Sequence, residues 1–252
     1  DADGKTGDGA GIMLEVSNSF FKKQIAKTGH KPNDDTVIGV AMVFLPKEDF
    51  NAQEKCRAIM EYEIIKSGMN LFGWRHVPVN SSIIGEKANY TRPEIEQLIF
   101  SPKEKNENIE KTLYLTRRRI ENKIKSLNIN NFYICSLSSE VIIYKGMFLA
   151  EQLSSFYPDL LDSDFKSKFA VYHQRYSTNT FPTWSLAQPF RVLAHNGEIN
   201  TLKGNINWMK AHETRITHDF FADRVEDLKP ILDSDASDSA SLDAAFEILL
   251  QT

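Results

Sequence analysis

Two polar clusters in the second half of the chain could together form a binding pocket. The first, HQRYSTNT, contains Arg175, Thr178 and Asn179, and the second, AHNGEIN, contains Asn196 and Gly197. The planar guanidinium of an arginine suits bidentate recognition of a small carboxylate, and Thr178 and Asn179 add neutral hydrogen-bonding groups beside it. We expect the first cluster to bind the carboxylate of a substrate.

The second cluster has the donors that an acyl-transfer reaction requires. Asn196 offers a side-chain amide, and Gly197 offers a backbone N–H that a ligand can approach without meeting a Cβ atom. This pair could form an oxyanion hole. Asp238, near the start of a predicted helix, could accept hydrogen bonds from a substrate ammonium. The combined prediction is an amino acid held by both of its charged ends.

Each of these residues also has a purely structural interpretation. Asn-Gly is a common turn dipeptide, an arginine at the end of a strand usually pairs on the surface, and an aspartate at a helix start can be only a cap. His173 and His195 are interpreted as satisfied structural histidines, and neither is assigned to catalysis. Aromatic residues nearby are interpreted as pocket wall or core: Phe181, Trp184 and Phe190.

Charge and composition describe a globular chain with no nucleic-acid signature. The 252 residues are 41% hydrophobic, and 30 Lys+Arg against 34 Asp+Glu give a net charge of -4. One large domain that buries a substantial core is therefore expected. The most basic segment, Arg117–Lys125, is flanked by acidic residues, which predicts a solvated helix face rather than a nucleic-acid surface.

The two cysteines, Cys56 and Cys135, are too few for a disulfide framework or a four-ligand zinc site. A reducing cytosol or an organelle stroma suits this usage. No apolar run approaches the length of about 18 residues that a membrane span needs, so no membrane partner is expected. The sequence opens with Asp1 instead of Met, which we interpret as a fragment or a processed product.

No metal site is predicted. The spacing of Asp1 and Asp3 suggests a calcium loop, but Ile12 occupies the position where that loop needs a glutamate. His212 and His218 are too far apart in sequence for a zinc-binding helix, which needs histidines at i and i+4.

Hydrophobic periodicity predicts a mixture of strands and helices that brings both polar clusters to strand ends. Strands are predicted over Thr36–Leu45, Phe132–Leu137, Val141–Lys145, Lys168–Tyr176 and Pro189–His195, of which the second and third should form a hairpin. Helices are predicted over Asn51–Gly68, from the exposed loop Ser101–Lys111 to about Leu127, and from an N-cap at Asp238 or Ser239 to the end of the chain.

Three longer motifs, TGDGAGI, HQRYSTNT and LAQPFRVLAHNGEINTLKGN, closely resemble the amidotransferase domain of the glutamate synthases. The shorter pattern of Arg, Asn-Gly and Ser-Asp-Ser is similar to class II glutamine amidotransferases generally. The resemblance covers nearly the whole chain. It implies an α+β fold, a four-layer αββα sandwich of two antiparallel sheets of the N-terminal-nucleophile hydrolase type. It also implies that residues 1–252 are one amidotransferase domain, truncated at both ends.

The resemblance implies a role for each candidate residue. Arg175 would bind the α-carboxylate of glutamine in a pocket lined by Thr178 and Asn179, and Asp238 would hold the α-ammonium. Asn196 and the Gly197 N–H would stabilise the oxyanion of the tetrahedral intermediate. The nucleophile of the family is a processed N-terminal cysteine whose own α-amino group, with a pKa of about 8, acts as the base.

That cysteine would lie upstream of TGDGAGI, so it is absent from this sequence, and neither Cys56 nor Cys135 matches it. The fragment alone is therefore expected to be inactive. Ammonia released from a γ-glutamyl thioester would pass to a distant site that reductively aminates 2-oxoglutarate.

The implied FMN and iron–sulfur cluster would belong to other domains of the same polypeptide, with no cofactor in this domain. The electron donor would be an NAD(P)H-linked subunit or ferredoxin, and the compartment the cytoplasm or the plastid stroma. Two alternatives remain open: another class II amidotransferase, and a non-catalytic module that binds glutamine or serves assembly.

Overall fold

Two antiparallel β-sheets form the centre of the fold in the computed structural model, which describes residues 4–174, 181–217, 219–233 and 236–251. The three-stranded sheet has the order β6-β1-β7, and the four-stranded sheet has the order β3-β4-β2-β5. The strands are β1 (Ala10–Glu15), β2 (Gly39–Leu45), β3 (Met69–His76), β4 (Glu94–Pro102), β5 (Tyr133–Ser138), β6 (Val141–Gly146) and β7 (Ala170–His173).

Seven α-helices and four short 3₁₀ turns complete the described part of the chain. They are α1 (Asn18–Ala26), α2 (Phe50–Lys66), α3 (Glu86–Tyr90), α4 (Ile109–Ser126), α5 (Leu153–Phe156), α6 (Leu202–Glu213) and α7 (Asp238–Gln251), with short 3₁₀ turns at Ser81–Ile83, Ala150–Gln152, Pro158–Leu161 and Ala222–Leu228. The expected α+β class, with two antiparallel sheets and flanking helices, is confirmed.

Strand β2 is buried along its whole length because it lies between two apolar layers. Its alternate residues Val40, Met42 and Phe44 face the core between the sheets. The intervening residues contact α2 and α4 on the outer face of the four-stranded sheet. Side chains alternate across a strand, so a continuous apolar run such as this one suits a strand covered on both sides. The predicted strand over Thr36–Leu45 is confirmed from Gly39 onward.

Helix α2 forms where the apolar spacing predicts it. The carboxylate of Asp49 accepts the backbone N–H of Ala52 at 2.9 Å, which caps the first turn. The helix ends at Lys66, and Gly68 adopts a φ of 90°, a left-handed conformation that glycine tolerates well. Cys56 is fully buried on the core face, as expected.

The predicted hairpin between β5 and β6 is wrong, because the two strands lie in different sheets. β5 pairs with β2, and β6 pairs with β1. At the bend, the Ser138 hydroxyl accepts the backbone N–H groups of Glu140 and Val141, and the Glu110 carboxylate accepts hydrogen bonds from Ser138 and Ser139. These side-chain acceptors hold a turn that carries the chain from one sheet into the other.

The predicted solvated face over Arg117–Lys125 is wrong for its three arginines. Arg117 is only 3% exposed and forms ion pairs with Glu121 and Glu247. Arg118 donates to the carbonyl oxygen of Leu228, and Arg119 pairs with Asp227. The three arginines of α4 therefore contact the C-terminal third of the chain, whereas Lys123 and Lys125 remain exposed. Apolar residues of α4, α6, α7 and the segment before the 3₁₀ turn at Ala222–Leu228 reinforce this contact: Tyr114, Leu115, Ile206, Phe221 and Ile248.

Candidate active site

Strand β7 carries the first polar cluster. It pairs with β1 through Ala170–His173, so the predicted strand over Lys168–Tyr176 is confirmed for that part. Arg175, Thr178 and Asn179 lie outside the described residues, and their substrate-binding roles stay predictions. His173, the last residue of β7, pairs in register with Gly11 of β1. Its position is therefore set by the sheet ladder.

The second cluster is carried by a loop, so the predicted strand over Pro189–His195 is wrong. The backbone N–H groups of Arg191, Val192 and Leu193 all donate to the carboxylate of Asp243 in α7, at 3.2, 2.8 and 3.1 Å. Asp243 is 2% exposed. Because all three N–H groups donate to one side chain, they do not donate to a neighbouring strand.

Gln188, at the start of the same loop, binds His195, the residue before Asn196. Its side-chain amide donates to the carbonyl oxygen of His195 at 2.9 Å, and its Oε1 accepts the His195 N–H at 2.7 Å. The backbone of Gln188 rests against β1, because a Cβ added to Gly11 would lie 2.7 Å from its carbonyl oxygen. The loop that leads to Asn196 is thus fixed to β1 by Gln188 and to α7 by Asp243.

The structure brings the two polar clusters into contact. Nε2 of His173, at the end of β7, lies 2.8 Å from Oδ1 of Asn196. Asn196 and Gly197 are both exposed in this chain. A Cβ at Gly197 would approach the His195 imidazole to 2.8 Å, so a larger residue there would require that ring to move. The two predicted oxyanion-hole residues therefore sit at an accessible surface beside the strand that leads into Arg175.

Asp238 connects the end of this loop to α7. Its Oδ2 accepts the backbone N–H of Ile199 at 2.9 Å, and its Oδ1 accepts the N–H of Ser239 at 2.7 Å. The residue is 6% exposed. Each carboxylate oxygen can accept more than one hydrogen bond, so these contacts leave capacity for a substrate ammonium. That role stays a prediction.

The predicted helix at the C-terminal end is confirmed, but its predicted N-cap is wrong. The Ser237 hydroxyl accepts the N–H of Ala240 at 3.1 Å, which is the hydrogen bond of an N-cap. Asp238 is already the first residue of α7. Its carboxylate is thereby free of the capping role and can hold the Asn196 loop.

A network of buried charged side chains connects α4 to the loop that carries Asn196. Arg191 donates to Glu121 at 2.9 Å and to the carbonyl oxygen of Ile134 at 2.7 Å. Burial alone would raise the pKa of Glu121, but Arg117, Arg191 and Arg118 together lower it to about 2. The Glu121 carboxylate is therefore ionised at neutral pH, and it joins α4 to the loop that carries Asn196.

Burial is the main influence on the pKa values of the two thiols. It raises the pKa of Cys56 to about 11 and that of Cys135 to about 12. The thiolate is the reactive form of cysteine, and both side chains are fully buried. Neither thiol is suited to act as a nucleophile at neutral pH, in agreement with their failure to match the expected position.

Among the described residues, His76, Glu94 and Glu96 come close enough for their ligand atoms to share one ion. Arg57 donates to both carboxylate oxygens of Glu96, at 2.8 and 2.6 Å, so the negative charge of Glu96 is already compensated. This cluster is explained as an ion-pair network on β3 and β4. Within the described ranges, no helix combines the length and apolarity needed to cross a membrane.

Sequence reasoning missed Gln188, Asp243 and Arg191, whose side chains position the loop. A signal for Asp243 does exist, since it is an acidic residue directly flanked by Leu242 and Ala244 in a predicted helix. Buried carboxylates of this kind need hydrogen-bond donors. Which donors they find depends on the tertiary structure.

Comparisons with known proteins find similarity over the whole chain. The family model for class-II glutamine amidotransferases matches residues 1–252. The chain is 60% identical over its full length to the NADPH glutamate synthase large chain of Azospirillum brasilense, of which it covers 17%. It is 44% identical to the chloroplastic ferredoxin-dependent glutamate synthase of Oryza sativa subsp. japonica, covering 16% of that protein. The chain thus spans about a sixth of the length of these curated relatives.

Proposed function

Because the chain belongs to the class-II glutamine amidotransferases, we propose that it is the glutamine-hydrolysing domain of a glutamate synthase. The observation that carries this proposal is the contact between His173 and Asn196, which joins the end of β7 to the Asn-Gly loop. It places a side-chain amide and a backbone N–H beside the strand that leads to Arg175. The identity to two glutamate synthases supports the choice of that enzyme within the family.

In the proposed site, glutamine binds with its α-carboxylate at Arg175 and its α-ammonium at Asp238. Thr178 and Asn179 line the pocket. The side-chain amide of Asn196 and the N–H of Gly197 donate to the oxygen of the γ-carboxamide. Fixed donors of this kind stabilise the charge that develops on that oxygen in the transition state.

The nucleophile is a cysteine supplied from outside these 252 residues. The chain contains only Cys56 and Cys135, and burial raises the pKa of both thiols. We therefore assign the role to the processed N-terminal cysteine that the family resemblance implies. Its α-amino group, with an ordinary pKa of about 8, can take the thiol proton at neutral pH without a histidine base.

The reaction then has two steps. The thiolate sulfur bonds to the γ-carbonyl carbon of glutamine, the C–N bond breaks, and the leaving nitrogen takes a proton and departs as ammonia. Water next attacks the γ-glutamyl thioester, the C–S bond breaks, and glutamate leaves as the thiol is restored. Asn196 and Gly197 stabilise the oxyanion in both steps.

The rest of the proposed enzyme would use the ammonia to aminate 2-oxoglutarate reductively. This chemistry needs the FMN and the iron–sulfur cluster that the resemblance implies. A cluster is normally held by four thiolates, whereas Cys56 and Cys135 lie in two separate apolar clusters of this chain. The iron–sulfur cluster would therefore be held by other domains of the polypeptide, and we assign the FMN to those domains as the resemblance implies.

The names of these relatives include NADPH in one case and ferredoxin in the other, and we propose one of these two as the electron donor of the complete enzyme. The proposed compartment is the cytoplasm or the plastid stroma, since some of the relatives are named as chloroplastic.

An Asn196→Ala variant of the full-length enzyme tests the proposed role of this loop. Loss of one oxyanion-hole donor typically lowers kcat by about 10²–10³, and the KM for glutamine should change little because the charge develops only in the transition state. Ammonia release from glutamine is the measurement. Asn200→Ala is a matched control, because Asn200 is an exposed asparagine in the same loop, and its kcat should be unchanged. Equal kinetics for the two variants would refute the assignment.

A further inference from the structure

The side chain of Asn196 can serve an oxyanion hole in only one of its two orientations. Its amide group carries a donor, Nδ2, on one side and an acceptor, Oδ1, on the other. If the oxygen faced the substrate, it would repel the developing oxyanion. The group that hydrogen-bonds to the other side of the amide therefore determines whether Nδ2 or Oδ1 of Asn196 faces the substrate.

That partner is His173, whose Nε2 lies 2.8 Å from Oδ1 of Asn196. An imidazole nitrogen that carries a hydrogen donates to Oδ1, and the Nδ2 of Asn196 then points away from His173. An imidazole nitrogen without hydrogen would instead attract Nδ2 and turn Oδ1 toward the substrate. The two atoms thus couple the hydrogen on His173 to the direction of the Asn196 amide.

We propose that His173 is a positioning residue that carries a hydrogen on Nε2 and holds the Nδ2 of Asn196 toward the oxyanion of glutamine. This inference rests on the proposed function and extends it to a residue that the sequence indicates only as structural. In this proposal His173 acts through Asn196 and not on the reacting atoms.

Both ends of this hydrogen bond are anchored, so the orientation is set before substrate arrives. His173 is held by its pairing with Gly11 in the ladder between β7 and β1. The backbone next to Asn196 is held by Gln188, which binds both polar backbone groups of His195. Donors that are oriented in advance need no reorganisation during the reaction, and this is how an oxyanion hole lowers the barrier.

The test compares His173→Gln with His173→Met in the full-length enzyme. The two replacements are uncharged and similar in size, but only glutamine has an amide N–H that can reach the position of Nε2. We expect His173→Met to lower kcat about ten-fold, the loss typical of one hydrogen bond, with the KM for glutamine nearly unchanged. His173→Gln should retain most of the activity. Rates are normalised to the sites that react with a diazo-ketone analogue of glutamine.

A double-mutant cycle with Asn196→Ala separates positioning from a general structural role. Once Asn196 is absent there is no amide to orient, so adding His173→Met should cause no further loss. Multiplicative losses, or equal kcat values for His173→Met and His173→Gln, would overturn the inference and leave the proposed function intact. A wild-type enzyme that released no ammonia from glutamine would overturn both.

Discussion

Replacement of Asp243 tests whether α7 holds the loop that carries Asn196. The Asp243→Ala change removes one carboxylate that accepts the backbone N–H groups of Arg191, Val192 and Leu193. The site is buried, with Asp243 only 2% exposed. The three N–H groups would lose their partner without an obvious replacement.

The expected cost follows from the number and type of these bonds. A hydrogen bond to a charged group contributes about 1.5–3 kcal/mol, and three bonds to one carboxylate are not additive. We therefore expect the free energy of unfolding to fall by roughly 3–5 kcal/mol, the range for removing one partner of a buried charged group. Asp243→Asn should cost less, roughly 1–3 kcal/mol, because its single oxygen can still accept from Val192 and Leu193.

Urea unfolding of the chain, followed by tryptophan fluorescence, measures these changes. Trp184 is 4% exposed and reports the loss of tertiary structure. The matched control is Asp233→Ala, since Asp233 is half exposed in its pair with Lys125 and should cost less than about 1 kcal/mol. Equal losses for Asp243→Ala and Asp233→Ala would show that the loop is not held in this way. In the full-length enzyme, Asp243→Ala should also lower kcat through displacement of Asn196.

Three further predictions concern charge, substrate binding and thiol chemistry. Burial lowers the pKa of Lys145 from 10.5 to about 8, so the unfolded chain binds more protons between these values and stability rises with pH across that window. The stability of Lys145→Met relative to wild type, measured by urea unfolding, should accordingly fall by roughly 2–3 kcal/mol between pH 7 and pH 10.5; a constant difference would contradict the shift. Arg175→Ala should raise the KM for glutamine by more than about ten-fold in steady-state assays and spare any ammonia-dependent reaction, because a bidentate carboxylate contact is lost. Cys56 and Cys135 should stay unmodified when the native chain is treated with a thiol reagent and examined by intact mass, and modification before unfolding would contradict their burial.

The sequence predicts those elements whose structure depends on local pattern. The apolar run of β2 and the spacing of Cys56 and Met60 in α2 indicate buried elements directly, and both are confirmed. Pattern alone fails for Pro189–His195, which has the composition of a strand. Its backbone donors are instead bound by Asp243, a residue about fifty positions later in the chain.

The failures share a physical origin in long-range polar contacts. Arg117 has the sequence context of a solvated helix face, but ion pairs with Glu247 of α7 draw it into the interior. The bend between β5 and β6 depends on Glu110, which belongs to a helix that precedes both strands. Likewise, the partner of Asn196 is a histidine whose sequence context suggests only a structural role. Such pairings become visible only once the fold has brought the residues together.

In the proposed enzyme, Asn196 and Gly197 form the oxyanion hole for a cysteine outside residues 1–252. The decisive experiment is a crystal structure of the full-length enzyme inactivated with a diazo-ketone analogue of glutamine. We expect one covalent adduct per polypeptide, on a cysteine other than Cys56 and Cys135. The ketone oxygen of the adduct should lie within hydrogen-bonding distance of the Asn196 side-chain amide and the Gly197 N–H. An adduct on Cys56 or Cys135, or a ketone oxygen bound elsewhere, would contradict it.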